Sequence, residues 1–134
     1  MSTPVYKGKY NKLFPQKMST NSFLTIYVLH VLGEKNDKMY GKEIIDRIED
    51  RFNSSFKPSH GIMYPLFRKL EEEGLVHAEW DGDDPTKKTR RYYQITTRGK
   101  LALEEEVEHF KPVAYESYIL MSNIIKDLYD ARMV

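Results

Sequence analysis

Apolar side chains recur with helical spacing through the first half of the chain, once the first 18 residues have passed. Between residues 20 and 33 they fall on almost every side, which predicts a first helix buried on more than one face. Gly33 is suited to end this helix. A second helix is predicted from a single apolar face made of Tyr40, Ile44, Ile45, Ile48 and Phe52.

A third helix is predicted from residue 60 to residue 73. Ser59 precedes it and is suited to cap it, because its hydroxyl can accept a hydrogen bond from the first turn. Every fourth residue is apolar at Ile62, Leu66 and Leu70, so we predict that these three form the inner line of the helix.

The apolar period changes to strict alternation after residue 74. Val76, Ala78 and Trp80 alternate with polar residues, and residues 91–95 alternate in the same way. Between them lies a segment, Asp-Gly-Asp-Asp-Pro, with strong turn composition. This part of the chain predicts a β-hairpin with a long charged tip.

The last predicted element is a long helix with the apolar stripe of a coiled coil, which predicts a helix–helix seam. Thr96 or Thr97 is suited to cap it. Its stripe, with alternating spacings of 4 and 3, is Leu103, Val107, Phe110, Ala114, Ser117, Met121, Ile124 and Leu128. All of these except Ser117 form the predicted homodimer interface. Pro112 interrupts the stripe, so we expect the helix to be kinked or broken there.

Three helices followed by a hairpin give the order of a winged helix-turn-helix, in which the third helix enters the major groove of DNA. We therefore predict a mainly α-helical fold with a small β-hairpin wing and a long C-terminal dimerisation helix. The predicted parts are a basic N-terminal arm over residues 1–18, a winged-helix DNA-binding domain over 19–97 and a C-terminal helical dimerisation segment over 98–134.

Charge is nearly balanced overall but unevenly distributed. The 134 residues include 21 lysines and arginines against 20 aspartates and glutamates, a net charge of +1. Residues 1–17 and 86–100 are basic runs without an acidic residue, and such local runs favour binding to a polyanion. We find no membrane-spanning apolar run and no secretory signal, so a cytoplasmic protein is expected.

The predicted third helix carries the candidate DNA-reading residues. The side chains that flank its inner line are Ser59, His60, Met63, Tyr64 and Arg68, and such side chains can contact base edges. The residues predicted to hold phosphates are Lys42 and Lys57 near helix N-termini, and Lys87, Lys88, Arg90 and Arg91 in the wing. An alternative for Met63 and Tyr64 is packing against the second helix. The basic arm could follow a groove, fold over a partner subunit or remain disordered.

Signatures of enzymes and of metal sites are missing. The sequence has no nucleophile elbow, no phosphate-binding loop and no dinucleotide-binding glycine motif, so no catalytic activity and no cofactor are predicted. There is no cysteine, and the pairing of His109 with Glu105 or Glu106 supplies only two ligands. Zinc sites need three or four ligands, so no metal site is predicted either.

Several motifs resemble those of the PadR-like family of transcriptional regulators, over about residues 23 to 103. They are Tyr40-Gly41, Gly61-Ile62-Met63-Tyr64-Pro65-Leu66, Arg68-Lys69-Leu70-Glu71-Glu72-Glu73-Gly74-Leu75-Val76 and Arg91-Tyr92-Tyr93-Gln94-Ile95-Thr96-Thr97-Arg98-Gly99. The resemblance implies a sequence-specific repressor that binds double-stranded DNA as a homodimer on an inverted repeat. It also implies release by a small effector at the dimer interface. Tyr115, Tyr118 and Tyr129 could line a small aromatic pocket at this seam, and ordinary dimer packing is the favoured alternative for them.

Two alternatives remain open at this point. Phe56-Lys57-Pro58-Ser59-His60 and the long helix also resemble the bacterial replication terminator proteins, which would imply a DNA-bound roadblock. The other alternative is an interaction module whose winged surface binds a second protein.

Overall fold

The computed structural model describes residues 19–82 and 90–129 of the chain. Over these residues the elements are α1 (Thr20–Lys35), β1 (Met39–Tyr40), α2 (Gly41–Arg51), α3 (His60–Glu72), β2 (Val76–Trp80), β3 (Arg91–Ile95) and α4 (Thr97–Leu128). This order confirms the predicted winged helix with a long C-terminal helix. The predicted N-terminal arm and the tip of the wing, with Lys87 and Lys88, lie outside the described residues.

The chain divides into two compact units. The winged helix forms one of them, Thr20–Glu106, and includes the start of α4. The remainder of α4, from Val107 onward, belongs to the other unit.

Helix α1 is buried on several faces, as its all-round apolar pattern predicts. Leu24, Val28, Leu29 and Leu32 are fully buried in the core of the winged helix. The prediction that Gly33 ends the helix is wrong, because α1 continues to Lys35. Asn36 ends it instead, with a φ of 52°. Asparagine adopts this left-handed conformation more readily than most residues, so no glycine is needed there.

Helix α3 turns a different face to the core from the one that the sequence predicts. Its buried residues are Met63, Leu66, Phe67 and Leu70, which follow the i, i+3, i+4, i+7 pattern of an amphipathic helix. Ile62, predicted on the inner line, is 43% exposed. Phe67 decides this orientation, because its ring packs against Tyr93 of β3 with centroids 4.8 Å apart.

The wing is part of a three-stranded antiparallel sheet with the order β1-β3-β2. The predicted hairpin is confirmed, and its register pairs Val76 with Ile95 and Trp80 with Arg91. Strand β1 adds Met39 opposite Tyr93 on the other edge of β3. Two residues are too few to show an alternating pattern, and β1 was therefore not predicted.

Thr96 joins α3, the wing and α4 through two hydrogen bonds. Its hydroxyl donates to the carbonyl oxygen of Gly74 at 2.7 Å and accepts from the amide of Gly99 at 2.9 Å, so Thr96 is the cap of α4. A Cβ at Gly99 would lie 2.1 Å from the carbonyl oxygen of Leu75. Gly74 has a φ of +77°, which glycine adopts without strain. These contacts explain why glycine occupies position 74 in the motif of residues 68–76 and position 99 in the motif of residues 91–99.

Helix α4 runs through Pro112 without interruption, so the predicted break does not occur. Leu103, predicted to begin the dimer seam, packs against the core of its own winged helix, which corrects that assignment. It lies beside Gly33 of α1, where an added Cβ would make an ordinary contact with the Leu103 side chain at 3.8 Å. Farther along, Val107, Met121 and Leu128 are exposed.

Candidate nucleic-acid interface

The outward face of α3 carries three of the predicted DNA-reading residues one helical turn apart. His60, Tyr64 and Arg68 are exposed, and the rings of His60 and Tyr64 lie 5.5 Å apart. Ser59 caps the helix, since its Oγ accepts a hydrogen bond from the amide of Ile62 at 3.3 Å. That cap fixes the first turn of α3 and with it the positions of the side chains that point outward.

Tyr64 combines the two roles that the sequence left open. Its ring packs edge-on against Phe67 with centroids 5.4 Å apart, and it covers Gly41 at the start of α2. It nevertheless remains 36% exposed. The inner part of the side chain therefore serves the fold, while the outer part is available to a partner.

Met63 does not belong to this surface, and its prediction as a DNA-contacting residue is wrong. It is fully buried in the core of the winged helix. The buried face of α3 centres on Phe67, and Met63 lies one turn before Phe67 on that face. The apolar side chain that does point outward is Ile62, which the sequence analysis missed. The i, i+3, i+4, i+7 spacing of residues 63, 66, 67 and 70 was the signal that could have revealed it.

A groove of about 460 Å³ lies between the start of α2, the outward face of α3 and the base of the wing. It is lined by Tyr40, Gly41, Lys42, Tyr64, Arg68, Trp80, Arg90, Arg91 and Tyr93. A Cβ at Gly41 would lie 3.0 Å from the ring of Tyr64, so this glycine allows α2 and α3 to approach closely. Apart from Gly41, the lining residues are aromatic or cationic, a composition suited to an anionic partner.

Two arginines of the groove differ in how their charges are used. Arg90 is exposed, and its guanidinium stacks over the ring of Tyr40 at 3.9 Å. The Tyr40 hydroxyl donates to the carboxylate of Asp81 at 2.9 Å, and this hydrogen bond raises the pKa of Tyr40. Among the described residues, no hydrogen bond or ion pair involves Arg68. With respect to residues 19–82 and 90–129, its guanidinium is therefore unpaired and can bind an external acceptor.

Arg91 was predicted to hold phosphate, but its charge is engaged within the fold. Its Nη2 donates to the carboxylate of Glu71 on α3 at 2.8 Å, and both side chains are about one-third exposed. The guanidinium also lies 5.3 Å from the centroid of the Trp80 ring. Its Nε is buried and has no hydrogen-bond partner among the described residues. The contacts of Arg91 brace the wing against α3.

The remaining described phosphate candidates, Lys42 and Lys57, are exposed near the starts of α2 and α3. Lys42 binds Asp46 at 2.9 Å, and this hydrogen bond raises the pKa of the lysine. Lys57 lies 3.7 Å from Glu49. Such surface ion pairs are weak and exchange readily for another anion.

Within residues 19–82 and 90–129, no three histidine, cysteine, aspartate or glutamate side chains are grouped so that they could hold a metal ion. None of the helices in this part of the chain has the length and apolar character of a membrane span.

Three helices and a three-stranded sheet with a wing define the winged-helix class of DNA-binding proteins. The sequence profile described as the transcriptional regulator PadR-like family matches residues 28–105. The chain therefore belongs to the PadR-like family of transcriptional regulators and is a DNA-binding regulator. Members of this family are transcriptional regulators rather than enzymes.

Similar proteins include one of Lysinibacillus sphaericus, described as uncharacterized, which is 35% identical over 86 residues. That match covers 64% of this chain and 76% of the relative. A transcriptional regulator from Clostridium thermocellum has a similar structure, with a TM-score of 0.59 at 21% identity, covering 81% of this chain and 94% of the other. A PadR-like transcriptional regulator from Bacillus cereus gives a TM-score of 0.56 at 23% identity, with 73% and 90% covered. At these identities the two structures support the fold.

Proposed function

We propose that the protein is a transcriptional repressor that binds an inverted-repeat operator as a homodimer, with α3 in the major groove. The observation that carries this proposal is the exposed Arg68, which has no ion-pair partner among the described residues and lies beside Arg90 in the groove. An arginine guanidinium can donate two hydrogen bonds to one guanine, which is the commonest specific base contact. A free arginine on the outward face of α3 is suited to that task.

The surrounding cations suit the phosphate backbone on either side of the base contacts. Arg90 lies at the base of the wing, and Lys42 and Lys57 lie near the starts of α2 and α3, where backbone amides also attract phosphate. We assign Ser59, His60, Tyr64 and Arg68 to the bases, and Lys42, Lys57, Arg90 and the wing-tip residues Lys87 and Lys88 to phosphates. Two α3 helices of a dimer would then meet half-sites about 34 Å apart.

The homodimer is proposed on the apolar stripe of α4. Val107, Met121 and Leu128 are exposed, while Phe110, Ala114 and Ile124 are half-buried. A second copy of the helix would cover this stripe by knobs-into-holes packing about a two-fold axis. Functionally we divide the chain into an arm over residues 1–18, a DNA-binding domain over 19–97 and a dimerisation segment over 98–134.

The proposal also includes release of the DNA when a small aromatic effector binds. Tyr115 and Tyr118 are exposed on α4, Tyr129 is exposed directly after its end, and the three could pack around an aromatic ring at the dimer interface. The effector would act if it bound the DNA-free dimer more tightly than the DNA-bound dimer.

The test is selection of duplexes from a random-sequence pool, followed by fluorescence anisotropy at several salt concentrations. We expect the selected duplex to bind at least about 10³-fold more tightly than a random duplex. Arg68→Ala should reduce this ratio, whereas the control Arg51→Ala, which removes a surface ion pair with Glu34, should keep it. Equal binding to every sequence would instead favour a protein-interaction module, with DNA binding incidental. Specific binding that no effector weakens would favour a replication roadblock.

A further inference from the structure

Gly61, the second residue of α3, is a glycine for which the fold provides no reason. A Cβ added there would meet nothing closer than the Ser59 Oγ at 4.0 Å. Its φ is not in the left-handed region, since the positive-φ glycines among the described residues are Gly74 and Gly82. Glycine in a helix is less stable than alanine because its backbone loses more freedom on folding. The chain therefore carries a cost in stability at this position that no internal contact explains.

Two other glycines of the winged helix, Gly41 and Gly99, contrast with Gly61. At Gly41 a Cβ would come within 3.0 Å of the Tyr64 ring, and at Gly99 within 2.1 Å of the Leu75 carbonyl oxygen. Those two glycines are required by packing inside the protein. Gly61 is exposed, and the space beside it opens to solvent. A missing side chain at such a site allows another molecule to approach the backbone.

Ile62 follows directly and is one of two exposed aliphatic residues of α3, all of whose residues are described; the other, Pro65, lies one turn farther along. The Ile62 amide is held by the carbonyl oxygen of Ser59 at 3.1 Å and by the Ser59 Oγ at 3.3 Å. A β-branched side chain on a helix has one strongly preferred rotamer, so Ile62 loses little freedom when it is covered. In helix-turn-helix proteins, base edges are contacted by residues at the start of the recognition helix.

We propose that Gly61 and Ile62 together determine sequence preference: Gly61 lets a base pair approach the α3 backbone, and Ile62 packs on the C5-methyl group of a thymine. The thymine methyl is the apolar feature of the major groove, and an aliphatic side chain can recognise it without a hydrogen bond. This inference rests on the proposed function, since it requires α3 to lie in the major groove. It adds an apolar contact to the polar contacts assigned to His60 and Arg68.

The experiment for Gly61 compares folding stability with DNA affinity. In Gly61→Ala the urea midpoint should equal or exceed that of the wild type, while affinity for the duplex selected from the random pool falls about tenfold. The matched control is Gly33→Ala, because a Cβ there would make an ordinary contact with Leu103 at 3.8 Å. That control should keep its full DNA affinity. A glycine needed only for folding would give the opposite result, lower stability and unchanged affinity per folded molecule.

The experiment for Ile62 replaces each thymine of the selected duplex, one at a time, by deoxyuridine, which lacks only the methyl group. Wild-type protein should lose about fourfold in affinity at one position in each half-site, the effect of one buried methyl. Ile62→Ala should already bind the thymine duplex more weakly and should show no further loss at that position.

Three outcomes would overturn the inference. Gly61→Ala could bind as tightly as the wild type, or Ile62→Ala could retain the wild-type sensitivity at every thymine. Either result, with sequence-specific binding and the Arg68→Ala effect intact, would leave the proposed function standing. If the selection enriches no sequence at all, the proposed function and this inference fail together.

Discussion

Arg91 on β3 and Glu71 on α3 are joined by a 2.8 Å hydrogen bond between Nη2 and Oε2, so an ion pair links the wing to α3 in addition to the apolar packing between them. The charges are partly shielded from water, and the arginine Nε beside them is buried. The relative position of the two elements that we propose to contact DNA thus depends in part on a contact within the protein.

Glu71→Ala should lower the free energy of unfolding by about 1–2 kcal/mol, because it leaves a partly buried guanidinium without its carboxylate. Urea denaturation measures this change. Asp46→Ala, which removes the exposed pair with Lys42, is the control and should cost less than about 0.5 kcal/mol. Equal costs for the two variants would contradict a bracing role for Arg91.

Gly99→Ala should destabilise the protein by about 3 kcal/mol or more, since its Cβ would overlap the Leu75 carbonyl oxygen, which is backbone and can move only if the chain shifts. Thermal unfolding measures the loss. An unchanged melting temperature would mean that the α4 start can shift at little cost.

His60→Ala should reduce discrimination at one base pair by about 1–3 kcal/mol while leaving binding to random duplex nearly unchanged. Anisotropy on the selected duplex and on its single-base variants measures both quantities. A uniform loss on specific and random duplexes alike would assign His60 to the backbone instead.

Arg90→Ala should weaken binding to all sequences and reduce the slope of log K against log salt by about one, because one phosphate contact is lost. A titration between low and moderate salt gives the slope directly. Should the slope stay at its wild-type value, the stacked guanidinium over Tyr40 would have a structural role only.

Ile124→Asp should give monomers that bind DNA poorly, since a charge in the α4 seam would be buried without a partner. Sedimentation measures the oligomeric state. Asn123→Asp is a matched control, as it adds the same charge at the neighbouring exposed position. A dimer that survives Ile124→Asp would have its interface elsewhere.

Apart from the two-residue strand β1, the sequence predicted the order of the elements, because each of the others carries a clear period or a clear stop. Ser59 was identified as a capping residue and Thr96 as one of two candidates with Thr97, and both Ser59 and Thr96 make the expected hydrogen bonds. The hairpin alternation predicted the pairing of β2 with β3, which the register confirms. Local chemistry was sufficient for these features, because each depends on residues near one another in the sequence.

Features decided by distant contacts were harder to predict. Ile62 was predicted to be buried and Met63 to face outward, and the structure shows the reverse. The buried face of α3 is centred on Phe67, whose partner Tyr93 lies 26 positions farther along the chain. The internal pairing of Arg91 with Glu71 across two elements carries no local signal either. Charge alone made Arg91 look like a phosphate ligand. The helical periodicity of α3 is compatible with two different buried faces, and only tertiary packing determines which of them faces the core.

Trp80 gives this protein a built-in optical probe. It is the single tryptophan of the chain, it is 59% exposed, and it lines the groove beside the recognition helix with Arg91 near its ring. An indole so placed changes its emission when water around it is replaced by another molecule. Intrinsic fluorescence can therefore follow occupation of the groove in unlabelled protein, and its kinetics, in real time.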